Sequence, residues 1–216
     1  MPELTFAIEG AETVPFAAAP QLAFKLRIGS SPPDQTIQTI ALRCQIQIEA
    51  TRRRYSPEEQ DRLSDLFGEP DRWSTTLRTM LWTHAQTVVP RFEGEITVDL
   101  NVPCTFDFNV AATKYFDGLA AGELPLMFLF SGTVFYQDAD GPLQVMQISW
   151  DKEARFRLPV KAWTEMMEHY YPNSAWLRIR RDVFEKLAAH KRRHGFATWD
   201  QAIEDLVADV TTTVSR

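Results

Sequence analysis

Between Thr39 and Glu49 apolar and polar positions alternate, with Ile40, Leu42, Cys44, Ile46 and Ile48 on one side and Arg43, Gln45, Gln47 and Glu49 on the other. A period of two is that of an extended strand with one face turned to a core. The same alternation, over shorter stretches, marks Leu4 to Ile8, Leu22 to Ile28 and Ile96 to Leu100, and the apolar segments Phe128 to Tyr136, Leu143 to Ser149 and Glu153 to Leu158 add three more. Met80, Trp82 and Val88 carry strand chemistry as well, so about eight strands are expected. Turn residues separate them: Gly10 with Pro15 and Pro20, Gly29 to Asp34, Pro90 to Gly94, and Asp138 to Pro142. Short strands punctuated in this way predict a mainly β, α+β chain built as an antiparallel β-sandwich, immunoglobulin-like or similar.

Two departures from this period are helical. Ser56, Pro57 and Glu59 form a capping box with proline at the first helical position, and Leu63, Leu66 and Phe67 follow at helical spacing. A short helical turn is expected over Arg72 to Leu77, giving an insertion at about 56–78 that caps one open end of the sandwich. After Pro159 the stripe Ala162, Trp163, Met166, Met167 and Tyr170 has helical period. Asn173 and Ser174 can cap a next helix carrying Trp176, Leu177, Val183, Phe184 and Leu187, which Gly195 stops. Thr198 with Gln201 caps a last one bearing Trp199, Ala202, Ile203, Leu206 and Val207. The expected division is a sandwich domain over 1–159 and a C-terminal helical appendage, a hairpin, over 160–216. The large apolar residues of the hairpin are expected to pack on one another and on the sandwich.

Charge changes the picture at one place. The chain carries −6 overall, a general penalty against polyanions. Over Arg178 to Arg193, however, seven Lys or Arg face only Asp182 and Glu185, a net +5 that leaves about −11 elsewhere. With Leu177 and Ile179 on a short strand, residues 176–207 would resemble a ribbon-helix-helix DNA-binding unit. The other concentration of cations is Arg52, Arg53 and Arg54 beside Tyr55. Arginine with an aromatic is common at interfaces, so these four residues, together with Lys191, Arg192 and Arg193, are the candidate partner-binding positions.

Most reaction chemistry is left without residues. His84, His169, His190 and His194 do not pair with cysteine at ligand spacing, and Lys191, Arg192 and Arg193 would repel a cation from His190 and His194. No nucleophile elbow or glycine-rich phosphate loop is present, and Asp138 and Asp140 are explained by their turn. No catalytic, cofactor-binding or metal-ligating residues are therefore expected, and no cofactor. Met1 to Gly10 has neither the basic flank nor the apolar run of a secretory signal. Leu124 to Tyr136 is too short for a membrane-crossing helix and reads as a buried strand. Cys44 and Cys104 are expected as buried, reduced thiols in a cytoplasmic protein.

Ala41 to Glu49 with Arg52 to Tyr55, Leu66 to Pro70, Leu81 to His84, Leu129 to Tyr136, Trp150 to Glu153, and Pro172 to Arg181 leading into Thr198 to Asp200 together resemble a bacterial family, a domain of unknown function associated with gene neighbourhoods of actinobacterial-type nickel-iron hydrogenases. The resemblance runs nearly end to end and implies an accessory role with no catalytic residues to carry over. Two isolated thiols cannot ligate iron-sulfur clusters, in keeping with that. The expected function is a non-catalytic accessory or scaffolding protein that binds another protein, with a hydrogenase subunit as the implied partner and a homodimer as a further possibility. The alternatives are a DNA-binding regulator using 176–207, and an enzyme or small-molecule carrier with a pocket between sandwich and hairpin.

Overall fold

The computed structural model describes residues 1–105, 110–137 and 141–214. The alternating segments form eight strands among the described residues, in two antiparallel sheets. One has the order β1 (Glu3–Thr13), β2 (Gln21–Ser31), β5 (Glu95–Pro103). The other has the order β4 (Met80–Val89), β3 (Thr36–Ile48), β6 (Glu123–Gln137), and both β7 (Leu143–Gln147) and β8 (Glu153–Pro159) pair with β6 along the edge that β3 leaves open. The expected sandwich is present. Leu22, Phe24, Leu26 and Ile28 from β2 and Ile40, Leu42, Cys44, Ile46 and Ile48 from β3 turn inward and are at most 1% exposed. Phe24 meets Phe128 edge-on at 5.0 Å and Phe6 stacks on Phe130 at 4.5 Å, so rings of the two sheets interlock. Each such burial stabilises the fold by roughly 1.5–3 kcal/mol.

The register of β3 on β6 depends on a missing side chain. Gly132 sits opposite Leu42 with φ +141°, and a Cβ there would lie 2.1 Å from the Ala41 carbonyl oxygen. Only glycine lets the two backbones approach so closely.

The helical insertion forms as its caps dictate. In α1 (Pro57–Phe67) the Glu59 N–H donates to Ser56 Oγ at 3.2 Å and the Ser56 N–H to Glu59 Oε2 at 3.1 Å. A 3-10 turn over Pro70–Arg72 leads into the short α2 (Trp73–Thr76). Sequence reading missed α3 (Val110–Gly118), although Ala112, Tyr115, Phe116 and Leu119 recur at helical spacing and are all buried. Phe116 stacks at 4.1 Å on Trp163 of α4 (Val160–Tyr170), whose indole N–H donates to Asp117 Oδ1.

That stack, with Val160 and Met166 in the same core, makes α4 part of the sandwich unit. The chain divides into two compact units, Met1–Ser174 and Ala175–Arg216, with α4 in the first. In the second unit α5 (Arg181–His194) and α6 (Trp199–Val214) are joined by a turn in which Gly195 takes the left-handed conformation. The expected helix directly after Ser174 does not form. Residues 175–180 are non-helical, with extended backbone at Arg180, and α5 starts only at Arg181. The apolar period of Leu177 and Ile179 against Arg178 and Arg180 is two in this stretch, which disfavours helix. Mutual burial of the hairpin's large residues is also corrected. Phe184 and Trp199 touch at 5.2 Å yet stay 45% and 40% exposed, and Ala202 is the sole buried residue among the described ones of this unit.

Leu124 to Tyr136 lies within β6, as expected of a buried strand, and among the described residues no helix is long and apolar enough to cross a membrane. Asp138 and Asp140 lie outside the described residues.

Candidate functional site

The run Arg52–Tyr55 follows β3 and a single 3-10 turn, and the short distance to the Ser56 cap forces its side chains in different directions. Arg52 turns back, its Nε 3.1 Å from Glu49 Oε1. Arg54 is exposed. Arg53 points inward: its side chain is 8% exposed, its guanidinium pairs with the 5% exposed Glu59, and its Nη atoms donate to the carbonyls of Ala121 and Glu123. Its Nε is buried with no partner among the described residues. Glu59 also accepts from the Ala120 and Ser56 N–H groups. Burial pushes this carboxyl up, but the donated hydrogen bonds and the Arg53 charge outweigh it and hold the group below its ordinary value.

Tyr55 belongs to the same interior. Its hydroxyl donates to the Ala50 carbonyl at 2.7 Å, so the Tyr115 hydroxyl 2.6 Å away donates to it. Burial raises both phenols above their ordinary value. Trp73 and Phe67 close edge-on around this pair. Arg53 and Tyr55, taken from sequence as surface positions, are thus interior residues that tie the 119–123 loop to α1. Only Arg52 and Arg54 of that run remain available to a partner.

The three cations at the end of α5 are likewise not equivalent. Lys191 Nζ donates to the carbonyls of Phe196 at 2.8 Å and Ala197 at 2.9 Å, and lies 5.6 Å from the Trp199 ring centroid. It closes the helix end, where a cation is favoured by the dipole. Arg192 is exposed, and Arg193 donates to the Ala189 carbonyl. The His190 and His194 rings lie 4.4 Å apart, tilted by 36°, and His190 lies 3.1 Å from Asp205 of α6. The expected cap of α6 is present: the Gln201 N–H donates to Thr198 Oγ1 while Gln201 Oε1 accepts from Ala197 and Thr198.

Several residues of this unit expected in a core are exposed instead. Leu177 is 73% exposed, Phe184 45%, Trp199 40%, and Ile203 and Leu206 39% each. Among the described residues no group of three or more His, Cys, Asp or Glu could hold a metal ion. Cys44 and Cys104 are free and buried, which pushes both thiols up to about 12, away from nucleophilic reactivity.

No curated protein matches the chain. Among solved structures, β-glucosidase 3B from Thermotoga neapolitana in complex with α-D-glucose aligns at 12% identity with a TM-score of 0.27. The alignment takes in 72% of this chain but only 17% of that one, and so loose an overlay carries nothing over to this protein. A family model, by contrast, matches residues 1–215, and on that match the chain belongs to the family of unknown function DUF6084.

Proposed function

We propose that the protein is a non-catalytic accessory or scaffolding protein that binds another protein through its C-terminal unit. The observation that carries this reading is the imbalance within that unit. A segment of roughly forty residues cannot form a stable core alone, and this one leaves its large side chains at the surface with a single buried alanine among those described. Exposed large apolar residues beside charged ones, such as Phe184 and Trp199 next to Lys191, are a common mark of a protein interface. The family resemblance in the sequence supports a subunit of a nickel-iron hydrogenase as the partner, and the buried free thiols suit the reducing cytoplasm in which such assembly takes place. A second copy of the chain is the other candidate occupant, read out by light scattering of the purified protein.

The test is affinity capture from the native host followed by cross-link mapping, with the full chain beside a chain ending at Ser174. The reading expects a protein cross-linked to residues 175–208 and lost on truncation. Equal capture by both chains would remove the C-terminal unit from the binding surface.

A second reading, DNA binding, is favoured by the non-helical residues 175–180 ahead of two helices, with Arg178 and Arg180 alternating against Leu177 and Ile179. It requires affinity for duplex DNA that falls steeply with salt.

A further inference from the structure

The alternation of β8 places Arg155 and Arg157 on the outer face of the second sheet, while Phe156 and Leu158 point the other way. β8 pairs with the first half of β6, setting Arg155 opposite Met127 and Arg157 opposite Pro125. On the other side of β6 the Glu49 N–H donates to the Pro125 carbonyl, bringing the end of β3 and Arg52 to the same place. Three guanidiniums from two distant parts of the sequence thus line one groove of about 230 Å³, with Glu49 in its wall.

The groove is built rather than incidental. Glu49 is 6% exposed, and its carboxylate lies 3.1 Å from Arg52 Nε and 3.5 Å from Arg155 Nε. A nearly buried carboxylate thus holds two arginines by the same nitrogen, fixing their stems before any ligand arrives. Arg52 pairs with no carboxylate other than Glu49 among the described residues, and its side chain is 56% exposed. Arg157 is 63% exposed, and its closest carboxylate, Glu123, is 3.8 Å away, beyond hydrogen-bond reach. Arg155 spends one Nη on Glu153 at 2.9 Å. The lining carries three positive charges against one negative, in a chain whose net charge is −6.

We infer that this groove is a carboxylate-binding site that receives an acidic side chain of a protein partner between Arg52 and Arg157. The planar forks of two arginines match the two oxygens of a carboxylate. Pro125, opposite Arg157 in the strand pair, supplies an apolar part of its wall. The inference rests on the proposed protein-binding role, to which it adds the chemistry of the partner and a contact on the first unit.

The test uses the purified full chain, titrated with hexaglutamate peptide in one arm and inorganic phosphate in the other, while the arginine Nε–H resonances are followed by NMR. Saturable shifts at Arg52, Arg155 and Arg157 are expected with the peptide. Binding should weaken roughly tenfold or more in the Arg52→Ala/Arg157→Ala double variant, checked as folded by its melting curve, and stay unchanged in Arg91→Ala, an exposed arginine outside the groove. Failure to saturate, or equal affinity in the double variant, would overturn the site. Saturation by phosphate at lower concentration than by the peptide would overturn the acidic-segment ligand in favour of a free anion. The titration is independent of the residues beyond Ser174 on which the capture experiment turns, so the site can fail while the protein-binding role stands, and the reverse.

Discussion

Arg53 and Glu59 leave water together, and neither can be removed alone without stranding the other. Arg53→Ala should destabilise the protein by about 3–5 kcal/mol in denaturant unfolding, because the Glu59 carboxylate would stay buried without its cation. The folded-state value of Glu59 lies below its ordinary 4.5, so its contribution is present above that pH and is lost as pH falls through the folded value. Glu59→Gln should accordingly flatten the acid limb of the stability profile. The two thiols act at the opposite end. Below their ordinary value of 9.0 they are neutral in both states and contribute no pH dependence; between 9 and about 12 only unfolded thiols ionise, so stability should decline as pH rises through that range. A thiol reagent at neutral pH should find no reactive cysteine in the native protein and two after unfolding. At this scale the sequence was least informative. The residues that turn Arg53 inward, Ala121 and Glu123, lie some seventy positions away, and three consecutive arginines otherwise read as a solvated loop.

The elements themselves were largely legible, because period two survives wherever one face of a strand is buried and the other is wet. The capping boxes at Ser56 and Thr198 were legible too, being local chemistry. Ser56→Ala should cost about 1 kcal/mol, measured by thermal unfolding. What escaped were elements defined by distant partners. α3 carries a helical stripe, but its nine residues are short and their burial is decided by Leu63 and Trp163 elsewhere in the chain. The start of α5 was misplaced because Asn173 and Ser174 offer good caps, whereas Asn173 takes a left-handed turn with φ 49° and the chain runs on to Arg181 before winding. Gly132 had no sequence signal beyond being a glycine in a strand. Gly132→Ala should prevent soluble expression or lower the melting temperature severely, since the clash is with backbone of the central strand pair rather than with a side chain that can move.

For the whole molecule, division after Ser174 predicts that a chain ending there keeps the cooperative unfolding transition of the sandwich. Circular dichroism would show it, with only helical signal lost. Trp199→Ala, at a position 40% exposed, should destabilise by less than about 2 kcal/mol, well short of a core tryptophan. The joint use of one edge of β6 by β7 and β8 has a consequence for the order in which the protein is made. β6 leaves the ribosome with its β3 partner long since synthesised, but its other edge stays open until residues 143–159 follow. For that interval the most apolar strand of the protein is an unprotected template for other chains. A nascent chain arrested some forty residues after Gln137, with β6 clear of the exit tunnel but β8 still inside it, should therefore bind chaperones strongly and aggregate when released, and one arrested some forty residues after Pro159, with β8 clear as well, should do neither.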